Sequence, residues 1–344
     1  MTNPNFDGSR RSFLSNVGAG LLAAKTVGAP AQTQTHAKSP QYWSKEYWAE
    51  KGNVKLYMFR KRLEAPKPGQ SALPVLFLVH GSSLSGRPTF DLDVPGQEYS
   101  MMNAFARYGF DVWTMDFESY GRSTRTDGNS NIAEGVKDLK VATDLAMKET
   151  GQTRFHLFGE SSGGLRVGAF AMEYPDRVGR LVLAAFTYTG QGSPTLNDRA
   201  KQLEFYKTHS RRPRDRDMIR SIFTRDKVGT ADPAVAETLA DAEMPFGDSV
   251  PTGTYLDMTQ SLPVVDPKRV HAPVLLLRGE YDGIATEEDL ISFFTKLPNG
   301  DRELTIIPGM AHSVVLSYNR EQSWQIARTF LERPGRHDRV GTSG

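Results

Sequence analysis

Short, continuously apolar segments alternate with longer segments of helical periodicity, and this alternation restricts the fold of the chain more than any other feature. Three of these apolar segments are "VLFLVHG" (75–81), "RFHLFGE" (154–160) and "PVLLLRG" (273–279). A strand that is apolar at nearly every position is buried on both faces, as in a parallel sheet covered by helices on both sides. The alternation therefore predicts an α/β fold with a doubly wound, mostly parallel sheet.

The alternation covers residues 54–189 and 266–333 and is interrupted between them. Residues 190–265 contain several short amphipathic helices separated by Gly and Pro, with no strand of the buried type. We therefore predict one α/β core with an inserted helical cap. Residues 32–53 are expected to form an N-terminal arm, and residues 334–344 a C-terminal tail.

The first 31 residues differ in composition from the rest of the chain. Arg10 and Arg11 precede a weakly apolar stretch rich in Gly and Ala, and "APA" at 29–31 supplies the small residues typical of a cleavage site. The segment resembles a bacterial twin-arginine signal; the alternative is a basic N-terminal segment without defined structure. The resemblance implies that the chain engages the twin-arginine export machinery and becomes a periplasmic or secreted protein.

Composition excludes several classes of function. The chain has no cysteine, which rules out a thiol nucleophile, disulfides and thiolate metal sites. The formal net charge of +2 is too small for the basic surface of a nucleic-acid-binding protein, and no apolar run is long enough to anchor the chain in a membrane. H-E-x-x-H, G-x-G-x-x-G and Walker-type motifs are also missing. We therefore expect no metal and no cofactor.

The stretch "FGESSGG" (158–164) follows a predicted strand, precedes a predicted helix and fits the pattern G-x-S-x-G with Ser161 at its centre. Small residues are needed at such a strand-to-helix turn because the backbone is strained and neighbouring segments approach closely. Glycines also gather in ordinary turns, so the pattern alone leaves both interpretations open. Its position between a strand and a helix favours a nucleophilic serine.

A serine hydroxyl is a weak nucleophile and needs a base that is oriented by a carboxylate. Asp282 follows the predicted strand "PVLLL", and His312 follows the predicted strand "ELTII". Glu280 lies in the same loop as Asp282 and is the alternative acid. All of these residues come directly after predicted strands, where functional sites collect in parallel sheets.

In this combination of motifs, residues 54–333 resemble the α/β-hydrolase superfamily in its capped, serine-nucleophile form. The resemblance implies an oxyanion hole made by the main-chain N–H groups of Ser82 and Ser162, with Ser83 as the alternative to Ser82. It also implies that His80, in the H-G pair before Ser82, braces its loop. "DFESYGRS" (116–123) matches a further loop of the family, in which an arginine either braces the site or contacts substrate.

We expect the chain to hydrolyse a carboxylic ester of a small molecule, with Ser161, Asp282 and His312 as the catalytic triad. Lactones, amides and C–C bonds remain alternatives because they are cleaved by the same triad, and a non-catalytic binding protein on this fold is another. Aromatic residues of the cap region either line an apolar substrate pocket or form the core of the cap. The predicted substrate-binding residues among them are Tyr188, Phe205, Phe223 and Phe246.

Overall fold

The computed structural model describes residues 41–334 of the chain. The predicted export signal (1–31) lies outside these residues, as does nearly all of the predicted tail. The strands are β1 (Trp43–Lys51), β2 (Val54–Arg62), β3 (Val75–Val79), β4 (Leu92–Val94), β5 (Gln97–Tyr99), β6 (Asp111–Met115), β7 (Phe155–Glu160), β8 (Val178–Ala184), β9 (Arg211–Pro213), β10 (Ser249–Pro251), β11 (Val274–Gly279) and β12 (Arg302–Ile307). The α-helices are α1 (Gly86–Phe90), α2 (Met101–Arg107), α3 (Ile132–Thr150), α4 (Ser162–Glu173), α5 (Pro194–Ala200), α6 (Leu203–Thr208), α7 (Arg216–Thr224), α8 (Pro233–Glu243), α9 (Gly253–Gln260), α10 (Glu287–Phe294) and α11 (Arg320–Leu331).

Eight strands form one central sheet in the order β1-β2-β6-β3-β7-β8-β11-β12. From β6 to β12 the neighbouring strands are parallel, whereas β1 pairs antiparallel with β2, and β2 pairs antiparallel with β6. The mostly parallel α/β fold predicted from the alternation is confirmed.

The central strands are apolar at most positions because helices cover both faces of the sheet. Along β3, Val75, Phe77 and Val79 belong to one buried cluster, which also contains residues of α3 and α4. Leu76 and Leu78 belong to a second cluster with residues of α2 and α11. Alternate side chains of a strand point to opposite faces, so a strand between two helical layers is apolar at every position.

The first strand differs from the sequence-based expectation. Residues 32–53 were expected to form an arm outside the core, but Trp43–Lys51 pairs along its whole length with Val54–Arg62. Of β1, only Tyr47 and Ala49 are buried. An edge strand that buries so few side chains is rich in charged residues and lacks the apolar run by which the central strands were recognised.

The predicted cap is inserted between β8 and β11 and contains α5 to α9. Its helices pack in two groups, α5 and α6 against α9, and α7 against α8. The cap also contains a short antiparallel ribbon, β9 with β10, which the sequence did not predict. Within residues 41–334, no helix combines the length and apolar content needed to cross a membrane.

Candidate active site

Ser161 lies at the turn between β7 and α4 and has an unusual backbone conformation. Its φ is 59° and its ψ is −126°, a combination that non-glycine residues rarely adopt. The turn is tight because α4 starts immediately after Ser161, and a Cβ atom on Gly163 would collide with the carbonyl oxygens of Val79 and His80 on the neighbouring strand. The glycines of "FGESSGG" therefore allow the close approach that presents the Ser161 hydroxyl at the strand end.

Three residues far apart in the chain meet at this turn. His312 Nε2 lies 3.0 Å from Ser161 Oγ, and His312 Nδ1 lies 2.8 Å from Asp282 Oδ1. If Nδ1–H donates to the carboxylate, Nε2 is free to accept the hydroxyl proton of Ser161. The structure thus brings together the serine, aspartate and histidine that were singled out in the sequence, in the arrangement of a nucleophile, its base and the group that orients the base.

Asp282 is held as a carboxylate by its surroundings. Burial alone would raise its pKa, but the contact with His312 and the N–H of Ile284, 3.0 Å from Oδ1, outweigh burial and lower the pKa below its ordinary value. The alternative acid, Glu280, instead accepts a hydrogen bond from the N–H of Gly309 at 2.7 Å at the exposed end of the loop. Asp282, and not Glu280, is therefore the carboxylate that orients the imidazole.

The predicted oxyanion residues lie on two adjoining loops. Ser162 is the first residue of α4, so its N–H has no partner inside the helix. Ser82 Oγ donates to Ser162 Oγ at 2.8 Å, and the hydroxyl of Tyr120 donates to the carbonyl oxygen of Ser82 at 2.9 Å. These bonds fix the loop that carries Ser82 beside Ser161. Ser83, the alternative, has its hydroxyl 2.5 Å from that of Tyr255 in the cap.

His80 is a buried, neutral brace of the same loop. Burial, and then the charge of Arg166, lower the pKa of its imidazole to about 3. Nδ1 donates to the carbonyl oxygen of Gly81 at 2.8 Å, while Nε2 accepts from the N–H of Phe117 at 3.3 Å. With both ring nitrogens occupied, His80 has no free position for proton transfer.

The loop at 116–123 supports the site from behind. Asp116 accepts hydrogen bonds from the N–H of Gly86 at 2.7 Å and from that of Arg122 at 2.9 Å, and burial raises its pKa to about 7. The side chain of Arg122 forms an ion pair with Glu46 and lies over the ring of Tyr57, 4.2 Å from its centroid. Of the two roles left open for this arginine, the structure therefore shows bracing.

Glu160, directly before the nucleophile, is a buried acid that the sequence analysis did not assign. Burial raises its pKa to about 8, and it accepts a hydrogen bond from the N–H of Val314 at 3.0 Å. Val314 is two residues from His312, so Glu160 ties the histidine loop to the serine turn. Its role is to position these two loops relative to each other.

The triad opens into a narrow cleft that continues into a larger cavity under the cap. The cleft is lined by Ser161 and His312 together with Ser82, Ser83, Leu84, Arg199, Ile222, Arg225 and Leu316. The adjoining cavity has a volume of about 530 Å³ and shares Ser83, Arg199, Ile222 and Arg225 with the cleft. A small molecule can therefore extend from Ser161 into the cap.

The four aromatic residues predicted to bind substrate lie elsewhere, which corrects that prediction. Tyr188 packs against Phe293, Phe205 stacks on His209, and Phe223 is buried in the apolar cluster on one face of the sheet. Phe246 lines a separate cavity. Aromatic residues at helical spacing mark the faces by which helices pack, and here Tyr188, Phe205 and Phe223 pack against other apolar or aromatic side chains.

Polar residues of the cap, none of which was predicted from the sequence, lie near the triad instead. One carboxylate oxygen of Asp226 lies within 4.8 Å of ligand atoms of both Asp282 and His312. Arg199, Arg212 and Arg225 line the larger cavity. Their positions depend on how the cap folds over the sheet, so no local pattern in the sequence identifies them.

The eight-stranded sheet, the serine at its strand-to-helix turn and the chain order serine, aspartate, histidine define an α/β-hydrolase. The model of one family, Hydrolase_4, described as "Serine aminopeptidase, S33", matches residues 97–317, more than half of the chain. The chain belongs to this family and is a hydrolase.

Curated relatives match a shorter part of the chain. A 2-hydroxy-6-oxononadienedioate/2-hydroxy-6-oxononatrienedioate hydrolase from Paraburkholderia phymatum is 35% identical over 129 residues, and one of the same name from Burkholderia vietnamiensis is 34% identical over 129 residues. Each match spans 35% of this chain and only 38% of the relative.

Solved structures show the same fold over most of the chain. A 2-hydroxy-6-oxo-6-phenylhexa-2,4-dienoate hydrolase from Rhodococcus is similar with a TM-score of 0.62 and 18% identity, over 84% of this chain and 99% of that protein. A carboxylesterase from Bacillus subtilis is similar with a TM-score of 0.56 and 18% identity, over 84% of this chain and 92% of that protein.

Proposed function

We propose that this hydrolase cleaves carboxylic esters of small molecules through an acyl-enzyme on Ser161. His312 Nε2 takes the hydroxyl proton as Ser161 Oγ attacks the acyl carbon, and the same proton passes to the departing alcohol. The main-chain N–H groups of Ser82 and Ser162 bind the oxyanion of the tetrahedral intermediate. Water, activated by His312, then releases the acid and restores Ser161.

The observation that carries this proposal is the continuous chain of short contacts from Ser161 Oγ through both nitrogens of His312 to Asp282. A serine that is merely structural has no need of a strained backbone, a base at hydrogen-bond distance and a buried carboxylate behind that base. The cleft beside Ser161 gives an acyl group access to the hydroxyl.

Turnover of p-nitrophenyl esters across a series of acyl lengths tests the proposal. We expect turnover by the parent protein and loss of both turnover and fluorophosphonate labelling in Ser161→Ala. Ser292→Ala is a matched control, because this serine lies on α10 and contacts Lys296 outside the cleft. Ester turnover that persists in Ser161→Ala would contradict the mechanism.

Hydrolysis of a C–C bond next to a carbonyl is the second candidate, favoured by the two curated relatives, whose names describe hydrolases of oxo-dienedioates. The same triad serves this reaction, and the difference lies in the shape of the cavity and in proton delivery to carbon. Loss of the absorbance of a 2-hydroxy-6-oxo-dienoate, with no turnover of simple esters, would favour this candidate over ester hydrolysis.

We also propose that the protein is exported by the twin-arginine route, on the strength of Arg10, Arg11 and the small residues at 29–31. Export predicts a mature protein that begins at Gln32 and is recovered outside the cytoplasm. Replacement of both arginines by lysine should leave the uncleaved chain inside the cell. If the full-length chain remains cytoplasmic without any substitution, the export proposal fails.

A further inference from the structure

The cavity under the cap is lined by more positive charge than its own carboxylates neutralise. Arg199 comes from α5, Arg212 from β9 and Arg225 from the C-terminal end of α7, so three separate elements direct arginines to one space of about 530 Å³. Of the acids that line this cavity, Asp226 pairs with Arg225 at 3.4 Å and Asp198 pairs with Lys201 at 2.9 Å.

Of the three arginines that line the cavity, Arg225 pairs with Asp226, whereas Arg199 and Arg212 pair with no carboxylate among residues 41–334. Both lie against Tyr255, with guanidinium carbons 4.9 Å and 4.7 Å from the ring centroid. Stacking on an aromatic ring holds a guanidinium in place while leaving the N–H groups at its edge available. Outside the cavity, Arg214 of the cap pairs with Glu243 at 2.6 Å and Arg220 with Asp217 at 2.7 Å, while Arg211 donates to Ser249 at 3.0 Å.

The unpaired charge is costly to the folded protein. Burial, and then repulsion by Arg225, lower the pKa of Arg199 to about 10. The guanidinium remains protonated at neutral pH, and its partial desolvation would be offset by an anion bound in the cavity. The planar fork of an arginine matches the two oxygens of a carboxylate.

We propose that the cap cavity binds a carboxylate group of the substrate through Arg199 and Arg212, so that the enzyme prefers acyl groups that carry a second, free carboxylate. This inference rests on the proposed function, because the cleaved carbonyl must lie at Ser161. Arg199 lines both the cleft and the cavity, which places the anion site next to the reacting serine.

Tyr255 connects this site to the oxyanion loop. The ring that both arginines contact ends in the hydroxyl that lies 2.5 Å from Ser83 Oγ, and Ser83 follows Ser82 directly. A carboxylate held at the arginines is therefore separated from the oxyanion hole by one side chain. The inferred substrates are half esters of short dicarboxylic acids, with the free carboxylate in the cap and the ester carbonyl at Ser161.

Two substrates that differ only in the charge of their free carboxylate test whether the cavity recognises that charge. For mono-p-nitrophenyl glutarate and its neutral methyl ester, we would measure the ratio of the two kcat/KM values in the parent and in Arg199→Gln and Arg212→Gln. We expect a parent ratio above one, and a fall of about tenfold or more in each variant, since a charge-assisted hydrogen bond contributes about this much to recognition. Adipate and suberate half esters then measure the reach of the site.

Arg216→Gln is the matched control, because Arg216 is a cap arginine that pairs with Glu237 at 3.4 Å outside the cavity. Its ratio should equal that of the parent. A parent ratio below one, or an equal fall in Arg216→Gln, would overturn the proposal, as would unchanged ratios in both cavity variants. If circular dichroism shows that one cavity variant does not fold, the ratio measured in the other variant tests the proposal. If neither variant folds, the proposal is tested by whether the parent ratio lies above one.

Failure of the ester proposal gives a different result. If Ser161 reacts with a fluorophosphonate but neither ester is turned over, ester cleavage fails while the anion site can still be measured. Free glutarate should then slow the labelling of Ser161 in the parent and not in Arg199→Gln or Arg212→Gln. Labelling that glutarate leaves unchanged in the parent would overturn the anion site as well.

Discussion

Replacement of Asp282 by Asn removes one negative charge behind the catalytic base with little change in shape. Asp282 is 3% exposed and its Oδ1 lies 2.8 Å from His312 Nδ1. The charge matters most when His312 carries the proton of Ser161, because only then does a cation stand beside the carboxylate. The substitution should therefore lower kcat more than it raises KM.

The size of the effect follows from the separation of the two charges. The centres of the imidazolium and the carboxylate are about 4 Å apart, and an effective dielectric constant of about 20 gives an attraction of about 4 kcal/mol. This stabilisation is absent before proton transfer, so its loss raises the barrier by nearly the full amount. We expect kcat to fall by about a thousandfold.

The assay is steady-state ester hydrolysis beside the rate of fluorophosphonate labelling, and both should fall together. Glu280→Gln is the matched control, because this acid lies two residues away in the same loop and bonds to Gly309 instead of the imidazole. Its kcat should stay within about twofold of the parent, as expected for a side chain outside the reacting groups. A loss of less than tenfold in Asp282→Asn, or an equal loss in Glu280→Gln, would refute the argument.

Three further predictions concern the support of the site. Burial raises the pKa of Glu160 from 4.5 to about 8, so between these pH values the folded state holds a proton that the unfolded chain has lost. The parent's free energy of unfolding should therefore fall relative to that of Glu160→Gln as pH rises from 4.5 to about 8. Urea unfolding at several pH values measures this difference. Gly163→Ala should lower the free energy of unfolding by about 2 kcal/mol or more and reduce Ser161 labelling, since its Cβ would collide with backbone; unchanged melting would contradict the close packing at this turn. Arg214→Met leaves the buried carboxylate of Glu243 unpaired and should cost about 3 kcal/mol in urea unfolding, whereas the double variant with Glu243→Gln should recover part of it.

Most of the sheet could be predicted from the sequence because each central strand is buried on both faces and is apolar at most positions. The triad could be predicted for a related reason. Ser161 and Asp282 follow such strands, His312 follows the edge strand β12, and the ends of parallel strands meet at one edge of the sheet. The edge strand β1 escaped prediction because only two of its side chains are buried.

The lining of the cavity could not be predicted, since it depends on how the cap lies over the sheet. Phe205 and Arg199 belong to neighbouring cap helices, but the aromatic residue stacks on His209 while the arginine lines the cavity. The apolar faces of the cap helices pack against each other and against the sheet, and their polar faces line the cavity. Hydrophobic periodicity predicts which face of a helix is packed, but it does not predict whether the polar face lines a cavity or lies in solvent.

A covalent acyl group on Ser161 is the most direct test of the central claim. Mixing the protein with an ester at a concentration near its own, quenching in acid and measuring the intact mass should reveal one added acyl group, which peptide mapping places on Ser161. The adduct should be absent in Ser161→Ala and should accumulate in His312→Ala after slow reaction with an activated ester. Ester hydrolysis without any adduct, or an adduct on another residue, would contradict the account.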